Sequence, residues 1–449
     1  MSKDLITKIT QEFDTITPLQ PNDPRYVDCS VERGSTGLIR EIANNVRRVE
    51  KSCWLFSGHR GCGKTTELFR LQRELESKTK ARPFVVYCET DEYLKLDDVG
   101  FTDVLLAMVH QLWRHAQATD STLPLKPGKW ESLWAGVKDL TGKFHLKEAE
   151  AEIGFHEFLK TKLVFEIKDQ ADARRLLRSY FRDRSPTLLD ATNEFIRHVG
   201  GHFKDKGYSG LVIMMDNLDR IVPDLTLDPS RGTYQTLFVE AADYLYHLDC
   251  NVIYTVPPSV VSFQGPALEH DHGIKTKMLP MIPIADRNDV ANENGIARLI
   301  ETIALRVFEA DPLHNRSSVS LEEKIALLYQ TGAFDSEETV KRLCVASGGH
   351  MRRLMMLMQS ACNNSDDLPI RAETVSDVIR DARDGFISAL RPIPNAWEEA
   401  RKIANDKELV LSETTARLLE TFAVLEYLDE DGPWHDVNPV IRQARQFKA

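Results

Sequence analysis

The sequence predicts an α/β fold: a parallel sheet with a long helical insertion, then a helical lid and a small C-terminal winged-helix-like domain. Three observations predict it. Near-continuous apolar runs of strand length recur at Cys53 to Ser57, Phe84 to Cys88, Leu211 to Met215 and Asn251 to Val256, with Met278 to Ile284 a weaker fifth. Runs without polar alternation belong to strands covered on both faces. The first run leads directly into "GHRGCGKTT" and a helical pattern, and after "LPMIPIADRND" the strands stop and helical periodicity takes over.

Bulk properties narrow the function classes. A chain of 449 residues with 42% hydrophobic content is long enough for two or three packed domains. Its formal net charge of -11 argues against a surface that acts throughout as a nucleic-acid sink. The seven cysteines contain no C-x-x-C pair and leave one over, which disfavours a disulfide framework or zinc knuckle and fits a reducing cytoplasm. The start "MSKDLITKITQEFD" lacks a signal-peptide pattern, and no apolar run approaches the ~18 residues of a membrane helix. A cytosolic protein with no membrane partner is expected.

Read in order, residues 1–50 form a lead-in: a polar helix, then "TPLQPNDPRYVD", whose prolines bar helix. Residues 51–285 form the sheet-bearing core, with a helical insertion over about 99–205 that far exceeds an ordinary crossover. Within it the alternating charges of "KDQADARRLLRSYFRDRSP" read as a solvated helix face. Residues 286–392 read as a four-helix lid. Residues 393–449 give two helices and two short strands around "DEDG", a winged-helix-like tail.

The chemistry is concentrated in the glycine-rich stretch. Gly58, Gly61 and Gly63 with Lys64 and Thr65 fit G-x-x-x-x-G-K-[ST] between a strand and a helix. Glycines let backbone N–H groups face a phosphate without an obstructing Cβ, the helix N-terminus adds partial positive charge, and Lys64 reaches the terminal phosphates. Thr65 is the expected Mg²⁺ ligand; Cys62 and Thr66 complete the cradle. His59 and Arg60 are expected on the loop's outer face, meeting a neighbouring subunit or solvent. ATP and Mg²⁺ are the implied ligands. "LVIMMDNLDR" supplies the second acidic site, with Asp216 at a strand end as the magnesium partner. The next residue is Asn217, which takes no proton, so Asp219 is the nearest substitute for activating water; Glu89 and Asp91, on the same edge, are candidates to sense the γ-phosphate or to take that role in place of Asp219. Thr255 ends the strand "NVIYTV", where it can meet a γ-phosphate. Arg352 and Arg353 open an apolar helix after a glycine pair, placed to face a cleft. Arg231 and Arg287 are candidates for an arginine offered to a neighbouring subunit. "EHDHG" reads as a plain polar loop for want of a nearby third metal ligand.

The P-loop, the "DNLDR" strand end, the polar end of the next strand and "GGHMRRL" in a helical region before a winged-helix tail together resemble AAA+ ATPases of the origin-recognition type and the related STAND ATPases. The resemblance implies Walker roles for Lys64, Thr65 and Asp216, sensor roles for Thr255 and Arg352, and an adenine pocket at Arg25 and Tyr26. It also implies an ATP-driven homo-oligomer and, in bacterial relatives, a defence or mobile-element role exerted through a separate protein effector. The missing glutamate points to slow hydrolysis and a nucleotide-dependent switch. A DNA-engaging initiator or transposition regulator is the alternative, disfavoured by the acidic wing "EYLDEDGPWHD". A nucleotide-binding scaffold that never hydrolyses is a third.

Overall fold

In the computed structural model, which describes residues 2–77, 82–141, 155–160, 168–221, 233–310, 320–330 and 332–448, four of the apolar runs and one further segment form a five-stranded parallel sheet. Its strands are β1 (Ser52–Ser57), β2 (Phe84–Glu89), β3 (Leu211–Asp216), β4 (Asn251–Val256) and β5 (Lys275–Met278), in the spatial order β2-β3-β4-β1-β5. This is the fold class read from the sequence, a P-loop α/β sheet with a helical region and a winged-helix-like end. The register sets Phe56 beside Thr255 and Glu89 beside Asp216, gathering polar strand ends along one edge. Ligands of open parallel sheets collect at that carboxyl edge.

The fifth strand differs from expectation. It is "KTKM", not the apolar run that follows. An edge strand pairs on one side only, here with β1, and has no need of a continuous apolar face. The apolar residues Leu279, Met281 and Ile282 are buried elsewhere, and the Met281 N–H donates to the Glu426 carbonyl.

The chain divides into two compact units that do not follow chain order. One comprises Ile39–Ser57 and Leu68–Met278. It holds the sheet, a helix Leu38–Arg48 that the lead-in reading missed, and the insertion helices Phe101–Thr119, Lys129–Thr141, Phe155–Lys160, Ala171–Arg182 and Ser185–Asp205. Trp130, Trp134, Phe155, Phe158 and Phe181 pack in one core continuous with the sheet residues. The arginine-rich segment is only partly a solvated face. Arg174 turns inward to Asp98 at 2.8 Å, and Arg178 to Asp103 at 2.5 Å, while Arg175, Arg182 and Arg184 face out. Two paired acids on neighbouring segments make burial of these guanidinium groups affordable.

The other unit comprises Met1–Leu38, Gly58–Glu67 and Leu279–Ala449. Helix Ser2–Glu12 is no mere lead-in, since Ile6, Ile9 and Phe13 are buried. Where four helices were expected, the described residues hold five: Glu293–Ala310, Leu321–Gln330, Glu337–Ser347, Met351–Asn363 and Ala372–Leu390. Gly348 and Gly349, at φ +64° and +73°, end one helix and allow the next to start at once. Helices Ala396–Asp406 and Glu413–Glu420 then precede the antiparallel hairpin of β6 (Val424–Asp429) and β7 (Gly432–Val437), as expected of a winged-helix-like tail.

The turn at Gly349 is also a close approach: a Cβ there would stand 1.7 Å from the Ile282 carbonyl oxygen. Gly349→Ala is therefore expected to cost more than about 2 kcal/mol in urea unfolding, from the left-handed backbone and the displaced Ile282 segment together. A loss below about 0.5 kcal/mol contradicts this packing.

Candidate functional site

The phosphate loop, Gly58 to Thr65, has the backbone its glycines require: φ is +147° at Gly58, +92° at Gly61 and +112° at Gly63. Its carbonyls are taken in succession. Lys64 Nζ donates to the oxygens of Gly58 at 2.7 Å and His59 at 3.1 Å. His350 Nε2 lies 3.0 Å from the Arg60 oxygen, the Arg352 N–H donates to Gly61 at 3.1 Å, and Arg33 Nη2 donates to Cys62 at 2.9 Å. The two sides of a trans peptide plane point opposite ways. Carbonyls fixed toward His350 and Arg33 thus turn the amides of Gly61 and Gly63 away from them, as an anion cradle demands, while the Cys62 N–H closes a turn onto the His59 carbonyl at 3.0 Å.

The loop's side chains are less open than the sequence suggests. His59 is 1% exposed, not an outer-face residue: its Nε2 accepts the Glu426 N–H of strand β6 at 3.2 Å. Arg60 alone of the pair is exposed. Cys62 is fully buried; a Cβ on Gly58 would meet its Sγ at 2.9 Å. Arg352 and Arg353 part company. Arg352 packs its Cβ against Gly61, where an added Cβ would come within 2.7 Å, and its Nε donates to the Thr15 carbonyl. Arg353 lies over the Phe386 ring at 4.1 Å, its pKa lowered by burial to about 10. Of the expected adenine-pocket pair, Tyr26 reaches the helix that follows the loop, donating to Glu67 at 3.0 Å, whereas Arg25 is bound by Asp23 and Glu12. Arg287 is occupied by Asp429 at 2.6 Å, and Arg231 lies outside the described residues.

On the sheet, the acidic residues form a second cluster. Tyr87 donates to Asp216 Oδ2 at 2.8 Å and Thr90 to the Asp216 carbonyl at 2.5 Å. Asn217, left-handed at φ +70°, donates its N–H to Asp216 Oδ1 and its side-chain amide to Asp91, each at 2.8 Å. Arg220 pairs with the other Asp91 oxygen at 2.7 Å. Asp219 accepts from Thr255 at 3.2 Å, joining two residues that the sequence picked out separately. Glu89, level with Asp216, has its carboxyl held above the ordinary range by partial burial and by the charges of Glu92, Asp91 and Asp216. A carboxylate so raised is the stronger base.

Arg33, His350, Tyr87 and Thr90 were not picked out in the sequence. Their partners lie between 29 and 290 residues away, and no local pattern encodes that. "GGHM" does hold one retrievable signal: His350 is the N-cap of helix Met351–Asn363, its Nδ1 accepting the Arg353 N–H.

No known family profile matches the chain, and no curated protein matches it. Solved structures that align with nearly all of it at low identity include the following three. A Walker-type ATPase of Pyrococcus abyssi shares 14% identity at a TM-score of 0.42, covering 98% of this chain and 100% of its own. Cdc6p from Pyrobaculum aerophilum shares 12% at 0.37, covering 98% and 96%. Drosophila ORC bound to DNA likewise shares 12% at 0.37, covering 99% and 92%.

With Nδ1 accepting and Nε2–H donating, His350 must be neutral, and burial lowers its pKa to about 3. Unfolding frees it to protonate near 6.5, so its contribution is complete above that pH and is lost as pH falls toward 3. Between pH 7 and pH 5 the wild type should lose about 2 kcal/mol more stability than His350→Asn, whose amide keeps the cap without titrating. Equal losses in parallel denaturant titrations would refute the assignment.

Proposed function

We propose that this chain is a slow, ATP-hydrolysing switch. The observation that carries the reading is that one loop, the phosphate cradle, is hydrogen-bonded to the first turn of helix Met351–Asn363 and, through His59, to hairpin strand β6. A loop that adjusts to a γ-phosphate pulls on both. The reading takes Gly58, Gly61, Cys62, Gly63, Lys64, Thr65 and Thr66 as the phosphate cradle, Tyr26 as the base-side contact and Arg352 as the lid's γ-phosphate reporter.

The sequence pattern gives the Mg²⁺ roles to Thr65 and Asp216, hard oxygen donors of the kind that ion prefers, and within the sheet unit Tyr87 and Asn217 hold the Asp216 carboxylate in place. When bound, Mg²⁺ offsets charge on the phosphates. For the water-activating carboxylate we assign Glu89: Asp91 is committed to Asn217 and Arg220, and Asp219 to Thr255. Glu89 takes the proton of the attacking water as the oxygen adds to the γ-phosphorus and ADP leaves. Asp219 and Thr255 serve as a sensing pair. A base one strand over from Asp216, in place of a glutamate following it, accords with slow turnover.

In this reading the output passes to a protein effector and to further copies of this chain, as the resemblance to AAA+ and STAND ATPases implies. The seven free, buried cysteines suit the cytosol, and among the described residues no helix is long and apolar enough to cross a membrane. The acidic wing weighs less against DNA than its sequence implies: Asp429 is neutralised by Arg287, and Asp436 by Lys407 and Arg442.

ATP turnover and solution mass, measured with and without duplex DNA for wild type and Lys64→Ala, test the proposal. Slow turnover and ATP-dependent assembly without DNA, both lost in Lys64→Ala, are expected; strict dependence on DNA would favour an initiator-type ATPase, and no phosphate release would leave a scaffold. Glu89→Gln is expected to keep ATP binding and cut turnover by about 100-fold or more, while Asp219→Ala retains a larger residual rate. The reverse order would return the base to Asp219.

A further inference from the structure

The stretch "EHDHG" is not the polar loop that the sequence suggests. It is the last turn of helix Pro258–His272, closed by Gly273 at φ +63°. Its two histidines diverge. His270 pairs with Asp271 at 2.8 Å and is 89% exposed. His272, only 21% exposed, is carried to helix Ala242–Tyr246, beside Asp243 in its first turn and His247 at its C-cap.

That packing supplies the ligands the sequence lacked. His272 Nδ1 and His247 Nδ1 each lie 3.6 Å from the same Asp243 Oδ1, and one ligand atom from each of the three residues lies within 4.8 Å of the others. The imidazole centroids are 5.9 Å apart. A separation of 3.6 Å is too long for a direct N–H···O hydrogen bond. It is the separation that a tetrahedral ion imposes: bonds of about 2.1 Å hold their ligand atoms about 3.4 Å apart. His247 Nδ1 also stands 3.2 Å from the Asp243 carbonyl, so a proton kept there leaves Nε2 as the ligand, and its loss offers Nδ1. His272 closes a helix of 15 residues, whose C-terminal carbonyls bear partial negative charge and favour a cation.

We propose that Asp243, His247 and His272 form a binding site for a divalent transition ion of the zinc class. Two imidazoles and one carboxylate select such a borderline ion over Mg²⁺ or Ca²⁺, which prefer all-oxygen shells. The fourth position is open to water. The ion joins the ends of two helices that flank β4, the strand bearing Thr255. The inference is independent of the nucleotide reading, because it uses none of its residues.

Calorimetric titration of ZnCl₂ into the full chain, stripped with chelator and held in excess Mg²⁺, tests it against His247→Ala, His272→Ala and His270→Ala. The expected result is one Zn²⁺ per wild-type chain, affinity lowered at least tenfold in the first two variants and unchanged in the third. His247 is half exposed, so its substitution tests the site even where His272→Ala disturbs folding. Co²⁺ gives a second readout: tetrahedral visible bands in the wild type that vanish in His247→Ala. Absence of Zn²⁺ binding in the wild type, or the same affinity in all four proteins, would overturn the proposal.

Discussion

The carbonyls of the phosphate loop are the constraint on which the rest depends. A cradle for anions needs its N–H groups facing inward, and a peptide plane allows that only if the carbonyls are satisfied outside. Here Arg33, His350 and the Arg352 N–H satisfy them, and Lys64 holds the first two from within. The loop is thereby pre-shaped by groups from the lead-in and the helical region. An orphaned buried carbonyl would cost roughly 1–3 kcal/mol, which makes these ties more than incidental. His59 extends the arrangement to the hairpin.

The same economy governs the acidic cluster. Three carboxylates of that cluster have named donors: Tyr87 and Asn217 for Asp216, Asn217 and Arg220 for Asp91, Thr255 for Asp219. Asn217 stands where a catalytic glutamate is expected and works as a double donor. It ties two carboxylates together and leaves proton transfer to another residue.

What the sequence made legible was local. The four strong strand runs, the place of G-x-x-x-x-G-K-T between a strand and a helix, and Asp216 at a strand end depend on neighbours within a few residues, and the structure has them there. The failures share a cause. The apolar run 279–284 looked like a strand because burial alone cannot tell a strand from a segment threaded through a core. His59 looked exposed because its partner, Glu426, is 367 residues away. Helix Ser2–Glu12 looked like a lead-in because only Ile6, Ile9 and Phe13 face inward. "EHDHG" looked like a loop because its capping glycine resembles a turn residue, and its companions come from another helix.

The central claim is that nucleotide at the loop is felt by both the helical region and the hairpin. Hydrogen exchange at the amides of residues 350–354 and 424–428 measures it directly, since the Arg352 and Glu426 N–H groups are the donors of the two ties. Exchange is compared without nucleotide, with ADP and with a non-hydrolysable ATP analogue. The account predicts that protection changes in both segments with the analogue, less with ADP, and in neither for Lys64→Ala. Unchanged protection in both segments, under conditions where the wild type demonstrably binds the analogue, would contradict it.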